Sequence, residues 1–433
     1  MAPMTTAPPF DLSEQDVASL SAELVDYHAE FAGLFFRREQ GRWASKYLAG
    51  LLLPGVRKSA EVIALHVPDG IVRDMQRFIG DGAWDDDAIL QRHAQLVARS
   101  VGSCSGVLIV DGSDFPKQGK HSVGVARQYC GASGKIDNCQ AGVFLAYVSG
   151  KGYTLLDRRL YLPQEWLSKA WQARREKCGV PKATEFKTKP QLAWEMIQKL
   201  QRQGHLCFAW VACDEGFGNN PEFLEHLESA QISYLAEVPV ATQVWLERPA
   251  TGVPPALATG RPPSRARLLP GEAHPQRVDE IAAQLPARAW RTRHIKDGEK
   301  GAMVARFAFV RAVAVRDKLP GPDLWVVFRQ SLSAPPELKV FLSNAPAEMP
   351  QRELVRVSGL RWPIETCFRQ AKGNLGMDQY QTRSWRGWHH HMTLVILAHH
   401  FLVRLRLRHK KGHRRLPSSK PVCCWRRPCP IRA

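Results

Sequence analysis

The chain has 433 residues, 44% hydrophobic and 23% charged, a balance typical of folded globular protein that excludes a disordered polymer. Its length allows two or three domains, each able to bury a core, and no run of 18 apolar residues is available to span a membrane. Sixty Lys and Arg against 41 Asp and Glu leave a net charge of +19, which points to a polyanionic partner, nucleic acid first. Eleven of the basic residues lie between Arg404 and Ala433 with no acidic residue among them, so the preceding chain carries only +8. Ten cysteines without a C-x-x-C pair read as reduced thiols, and residues 1–10 lack a basic region followed by an apolar run. Both features predict a cytoplasmic protein without a secretion signal.

Taken in order, residues 1–104 read as an N-terminal helical domain, expected to bind DNA. Asp11 or Ser13 can cap a helix through Val17, Leu20, Leu24, Tyr27 and Phe31, whose spacing is helical. Further helices are predicted over 36–53, stopping at Pro54 and Gly55, over 60–66, and over 88–101 behind the acidic cap Asp85, Asp86 and Asp87. Arg37, Arg38, Arg42, Lys46, Arg57 and Lys58 make a basic face that is either simply solvated or in contact with DNA.

From Ser105 the period changes to that of strands. Residues 106–111 form a buried strand ending at Asp111, with further strands over 122–129, 141–148 and 152–161. A helix over 189–203 leads to a second apolar strand, 207–213, ending at Asp214, then a helix over 221–229 and a strand over 233–238. Three meandering strands followed by alternating helix and strand predict an α/β mixed sheet of the ribonuclease H type, flanked by helices. Residues 105–238 are its first part. Residues 239–338, dense in Pro and Gly and then strand-like over 303–315 and 323–330, read as an inserted, mostly β subdomain. Core packing is the expected role of its Trp245, Trp290 and Trp325, with stacking on an unpaired base as the other possibility. Residues 339–408 return to the core with a strand over 339–343 and helices over 350–359, 363–375 and 390–407. Residues 409–433 have no periodicity and read as a basic, disordered or frameshifted tail.

Asp111 and Asp214 each close an apolar run, where an unpaired carboxylate is costly. Asp114 and Glu215 compete for the same role, but period-two geometry turns Glu215 away and Asp114 lies in the following loop. The third candidate is Glu365. Arg361, Glu365 and Lys372 are spaced four and seven apart, so Glu365 and Lys372 share one helical face with Arg361 at its entrance. Pro363 suits the first turn, and the dipole there favours an ionised Glu365.

Together these segments resemble the DDE transposases of bacterial insertion sequences, in the branch with a β insertion between the second Asp and the Glu. Similarity continues in Arg37-Arg-Glu-Gln, in 47–61, and in Arg383-Ser-Trp-Arg-Gly-Trp-His-His-His, so that it spans 36–407. The resemblance implies a ribonuclease H-like core in which Asp111, Asp214 and Glu365 are catalytic and hold two Mg²⁺ ions, with Mn²⁺ able to substitute. It also implies a Mg-dependent endonuclease and strand transferase that cuts element ends and joins them to target DNA. Arg361, Lys372, Arg383 and Arg386 would contact DNA, with His389, His390 and His391 as plausible neighbours. Two copies would assemble on DNA, in the nucleoid. The family's Tyr three residues before the Arg is Ser358 here, which removes a phosphate or stacking contact. Competing expectations are a ribonuclease H-like nuclease that does not join strands, and an inactive or domesticated DNA-binding copy.

Overall fold

The structure, a computed structural model, describes residues 14–254, 264–298 and 301–411. The proposed caps Asp11 and Ser13 and all but the first residues of the 409–433 tail lie outside these. Five helices come first: α1 (Glu14–Ala32), α2 (Arg38–Leu52), α3 (Ala60–His66), α4 (Val72–Gly80) and α5 (Asp86–Val101). The Asp85 carboxylate accepts from the amides of Asp87 and Ala88 at 2.8 and 3.2 Å, capping α5. Helix α4 has no counterpart among the predicted elements. Its apolar face is only Met75, Phe78 and Ile79, too short a repeat to stand out among charged neighbours.

The next part holds β1 (Val107–Pro116), β2 (Ala126–Cys130), β3 (Lys135–Ser149), β4 (Gly152–Tyr161), α6 (Gln172–Lys177), α7 (Lys189–Gln203), β5 (Trp210–Cys213), α8 (Glu215–Gly218), α9 (Pro221–Ser229) and β6 (Ser233–Val238). The inserted segment contributes β7 (Gln243–Trp245), β8 (Thr251–Gly252), β9 (Arg267–Leu268), β10 (Gln276–Arg277), α10 (Val278–Gln284), β11 (Arg291–Gly298), β12 (Gly301–Arg316) and β13 (Leu319–Gln330). After it come β14 (Leu338–Ser343), α11 (Gln351–Ser358), α12 (Trp362–Leu375) and α13 (Trp385–Lys411).

The fold is the expected α/β, ribonuclease H-like mixed sheet with helices on both faces. Strands β4, β3, β1, β5 and β6 lie side by side, with β3 antiparallel to β1 and β4, and β1, β5 and β6 mutually parallel. Beyond β6 the sheet continues through β14, β13 and β12, all antiparallel, so the long strands of the insertion extend the same sheet to twelve strands.

Side chains alternate cleanly along the parallel strands. Leu108, Val110, Val211, Cys213, Tyr234 and Ala236 join the core beneath α7, α9 and α10. Val107, Ile109, Trp210, Ala212 and Leu235 join the opposite core, shared with α12 and α13. Helix α13 runs through the middle of that second core, packed against β4, α2, α4, α5 and α12. This overturns the placement of His389, His390 and His391 beside DNA: they are 9%, 1% and 0% exposed. From 387 to 403 the helix is buried throughout and has no solvated face, so their ring nitrogens bond inward, to the carbonyls of Trp385, Ile79 and Gly376. Lys58 also leaves the basic face. It is buried, and its ammonium caps the C-terminal carbonyls of α2 at Gly50 (3.0 Å) and Leu53. Arg37, Arg38, Arg42 and Arg57 remain exposed.

Candidate active site

Strand β1 does not stop at Asp111, as the apolar run suggested. It continues to Pro116 because its antiparallel ladder with β3 is unbroken from Val107 opposite Val148 to Pro116 opposite Cys139. The parallel ladder with β5 ends just before Asp111, at Val110 opposite Cys213. Asp111 thus sits where one neighbour continues and the other departs, which opens a crevice at the carboxyl ends of the parallel strands. Asp214 follows Cys213 directly and opens the short helix α8. By alternation both side chains belong to the face that carries α12. Glu215 is exposed, and Asp114 accepts the Gly131 amide at 2.7 Å, so neither enters this group.

Glu365 reaches the same place from α12. The helix begins at Trp362, with Pro363 in its first turn, and the αL residue Gly376 closes it. A Cβ at Gly376 would stand 2.3 Å from the Lys58 side chain, so this close approach of α12 to the α2–α3 connection needs a glycine. At the entrance, the Arg361 guanidinium lies among the carboxylates: Nη1 is 3.8 Å from Asp111, Nη2 is 3.2 Å from Glu365 and Nε is 3.4 Å from Glu237.

Glu237 has no mark in the sequence. Ala236 is level with Cys213, and Cys213 with Val110, so Glu237, Asp214 and Asp111 are each the residue that follows the last position paired in the parallel ladders of three adjacent strands. Glu237 also accepts from Lys339 at 2.9 Å. Only strand register could have revealed it, since nothing local marks a Glu between Ala236 and Val238.

Electrostatics follow from this crowding. Burial, and then the neighbouring Asp214, push the Asp111 carboxyl up to about 7, against the pull of Arg361 and of the Gly112 amide that donates to it at 2.7 Å. Burial also raises Asp214, opposed by Arg361 and by the nearby Phe217 amide, with Glu237 adding to the rise. Among the described residues, Asp214 Oδ1 has no hydrogen-bond partner. A carboxylate raised by burial beside a buried oxygen without a partner is the donor set that a hard divalent cation satisfies, so the residues fit one. As the side chains stand, no three His, Cys, Asp or Glu among the described residues are closed to ligand distance, and Arg361 supplies the positive charge instead.

The other expected DNA contacts are scattered around this centre. Lys372 donates to the Asp114 carbonyl at 3.2 Å and lies over Phe115; burial lowers its pKa, with Asp378 opposing. Arg383 is exposed, and its carbonyl accepts the Val123 amide. Arg386 is exposed and ties α13 to the Asp81 carbonyl at 2.8 Å. Of the four, Arg361 is the one in ion-pair contact with the carboxylates among the described residues. Ser358 is buried and its hydroxyl donates to the Val355 carbonyl, so it makes no phosphate contact. Trp362 is 48% exposed, with Lys296 and Arg369 over its ring at 4.5 and 5.7 Å. Trp245 and Trp325 are buried, their indole N–H groups donating to the carbonyls of Ala273 and Pro346, as core tryptophans do.

A family profile described as DDE superfamily endonuclease matches residues 30–302, which include Asp111 and Asp214 and end before Glu365. The chain belongs to this family of endonucleases. Membership implies a DNA substrate, and such nucleases generally use divalent metals. Among solved structures, the NurA nuclease from Sulfolobus solfataricus is similar at 10% identity over 66% of this chain and 86% of that one; its TM-score of 0.24 is too low to carry an argument. No curated protein matches. Among the described residues no helix is long and apolar enough to cross a membrane.

Proposed function

We propose that this endonuclease is a DNA transposase that cuts the ends of an insertion sequence and joins them to target DNA. The observation that supports this best is the meeting of Asp111, Asp214 and Glu365, from three separate elements, around one guanidinium at the open end of the parallel strands. Asp111, Asp214 and Glu365 would hold divalent ions, two Mg²⁺ or Mn²⁺, which supply Lewis-acid stabilisation of charge on the attacking and leaving oxygens. The protein keeps the three carboxylates on a rigid sheet and helix: Asp111 and Asp214 stand in the crevice, where charge interactions are strong, and Glu365 at its exposed rim, 43% accessible. Arg361 and Lys372 neutralise the phosphates of the strand being cut. Water attacks the phosphorus at the element end and the 3′ oxygen leaves. The freed 3′-hydroxyl then attacks a target phosphodiester, whose own 3′ oxygen leaves. Both steps are displacements at phosphorus, so one constellation serves both.

Two copies acting together on paired ends, in the nucleoid, complete this reading, with Arg383 and Arg386 as further DNA contacts. Lys372→Ala is expected to weaken binding of all DNA sequences alike and to lower the slope of log affinity against log salt by about 1, measured by fluorescence anisotropy. Binding unchanged in both respects would remove Lys372 from the interface.

A nuclease that does not join strands is the second reading, which membership of the endonuclease family supports equally. A linear donor carrying both element ends, incubated with supercoiled target and Mg²⁺, separates the two. Joined donor–target product is expected; cleavage or nicking with no joined product assigns the simpler nuclease.

A further inference from the structure

The carboxylate cluster contains one more acid than the proposed cation site uses. Glu237 is 13% exposed, and its charge is already balanced by Lys339 on β14, at 2.9 Å. It nevertheless takes a second cation, and does so at a particular atom. Arg361 meets Glu237 through Nε, the guanidinium nitrogen nearest the chain, and reaches Asp111 and Glu365 through Nη1 and Nη2, the two at its tip. The Nε contact, at 3.4 Å, is an ion pair, and a charge pair tolerates a turn of the whole rigid fork that carries the tip away while Nε stays beside Glu237. The base of the arm is fixed as well. Arg361 is already helical in φ and ψ, and the turn leading into it is held by Arg329, whose guanidinium donates to the Ser358 carbonyl at 3.1 Å. Two carboxylates thus depend on the mobile end of Arg361, and one on its pivot.

We propose that Glu237 is a positioning residue: together with Lys339 it moors Arg361 at Nε. The Arg361 tip then stands in for a divalent cation between Asp111 and Glu365 in the metal-free protein, and withdraws, still paired with Glu237, when a cation enters. This rests on the reading of those carboxylates as cation ligands. A crevice of like charges with no counter-ion would repel itself apart, and a tightly held arginine would block the ion. Mooring at the pivot satisfies both demands, because the displaced guanidinium is never stranded without an anion.

The test is Ca²⁺ and Mg²⁺ titration by calorimetry on the full chain without DNA. Wild type is expected to bind, and Asp111→Asn not to. Glu237→Gln, nearly the same shape without the charge, is expected to bind about tenfold more weakly, because Arg361 then has only the ligand carboxylates to hold. Arg361→Met removes the competitor and should bind more tightly than wild type. In that background Glu237→Gln should change affinity less than twofold. Equal weakening in both backgrounds would make Glu237 itself a ligand and overturn the proposal. No weakening in either would reduce Glu237 to a partner of Lys339 and overturn it as well. If wild type binds no cation, or Asp111→Asn binds as well as wild type, the cation-site reading is what fails. A thermal double-mutant cycle on the metal-free chain still reads the mooring: Glu237→Gln and Arg361→Met should be non-additive, and additivity overturns it.

Discussion

Asp111→Asn is expected to lower strand cleavage at least about a hundredfold, to leave DNA binding within about twofold of wild type, and to raise the melting temperature of the metal-free protein at pH 8. The loss of cleavage follows from the position of Asp111 at the splitting point of β1, where its carboxylate shares Arg361 with Glu365 and lies close to Asp214. Asparagine keeps the shape and the Gly112 contact but cannot supply an anionic oxygen to a hard cation or balance charge developing at phosphorus. Removing one such group typically costs about 3–4 kcal/mol or more of transition-state stabilisation, about two to three powers of ten. Binding is spared because affinity for DNA comes mostly from cations that meet phosphates, and Asp111 is not one.

The gain in stability has its own sign argument. The folded-state pKa of Asp111 stands at about 7, above that of the unfolded chain. Below pH 4 both states hold the proton and there is no penalty. Between about pH 4 and 7 the unfolded chain releases it and the folded one does not, so stability falls as pH rises; above 7 the penalty is complete. With the carboxylate only 13% exposed, that penalty is on the order of 3 kcal/mol at pH 8, and asparagine removes it. Differential scanning calorimetry across pH 5–8, beside a nicking assay on plasmid DNA, checks both halves. An inactive variant that is also less stable at pH 8 would mean Asp111 is structural, held by Arg361 rather than poised for a cation.

Much of this site is legible in the sequence because two of its acids carry a local mark. Asp111 and Asp214 each follow an apolar run that can only be a buried strand, and Glu365 shares its helical spacing with Arg361 and Lys372. The strand order that puts the two Asp at the ends of neighbouring parallel ladders is implied by the ribonuclease H-like pattern, which the sheet reproduces. What stays hidden depends on register and on burial. Glu237 has no marker, since its neighbours Ala236 and Val238 would suit many strands; only the pairing of β6 with β5 brings it to the same ladder end as Asp214. Periodicity puts Asp111 at a strand end because it does not see a ladder with β3 that continues past a charge. The histidines of α13 look like surface residues because three in a row are polar. Sequence does not reveal that five other elements cover that helix and supply carbonyls for the rings.

Acid should therefore unfold this protein steeply, above the pH range in which ordinary carboxylates are protonated and against the smaller opposing gain from Asp111. Burial, first among the causes, lowers His93 to about 4 and both His391 and His399 to about 3, and it also depresses His389, His390 and His400. The surroundings fit neutral rings. His391 Nε2–H donates to the Gly376 carbonyl, so Nδ1 is left to accept from the Tyr47 hydroxyl; His399 Nε2–H donates to Gln370 while Nδ1 faces Thr154. A second proton on either ring would be a buried charge with no anion beside it. Above about pH 6.5 folded and unfolded states are both neutral and nothing is lost. As pH falls below that value the unfolded chain takes up protons that the folded one refuses, so stability drops until the folded pKa values are reached. Each such histidine steepens the loss by about 1.4 kcal/mol per pH unit, and His93, His391 and His399 together by about 4, a large part of the roughly 5–15 kcal/mol that holds a typical domain. The melting temperature should collapse between pH 6.5 and 5. His399→Gln, which can still hydrogen-bond on both sides, should flatten the slope by about one proton. A melting temperature constant over that interval would show that α13 is solvated, and with it that the second core has been misassigned.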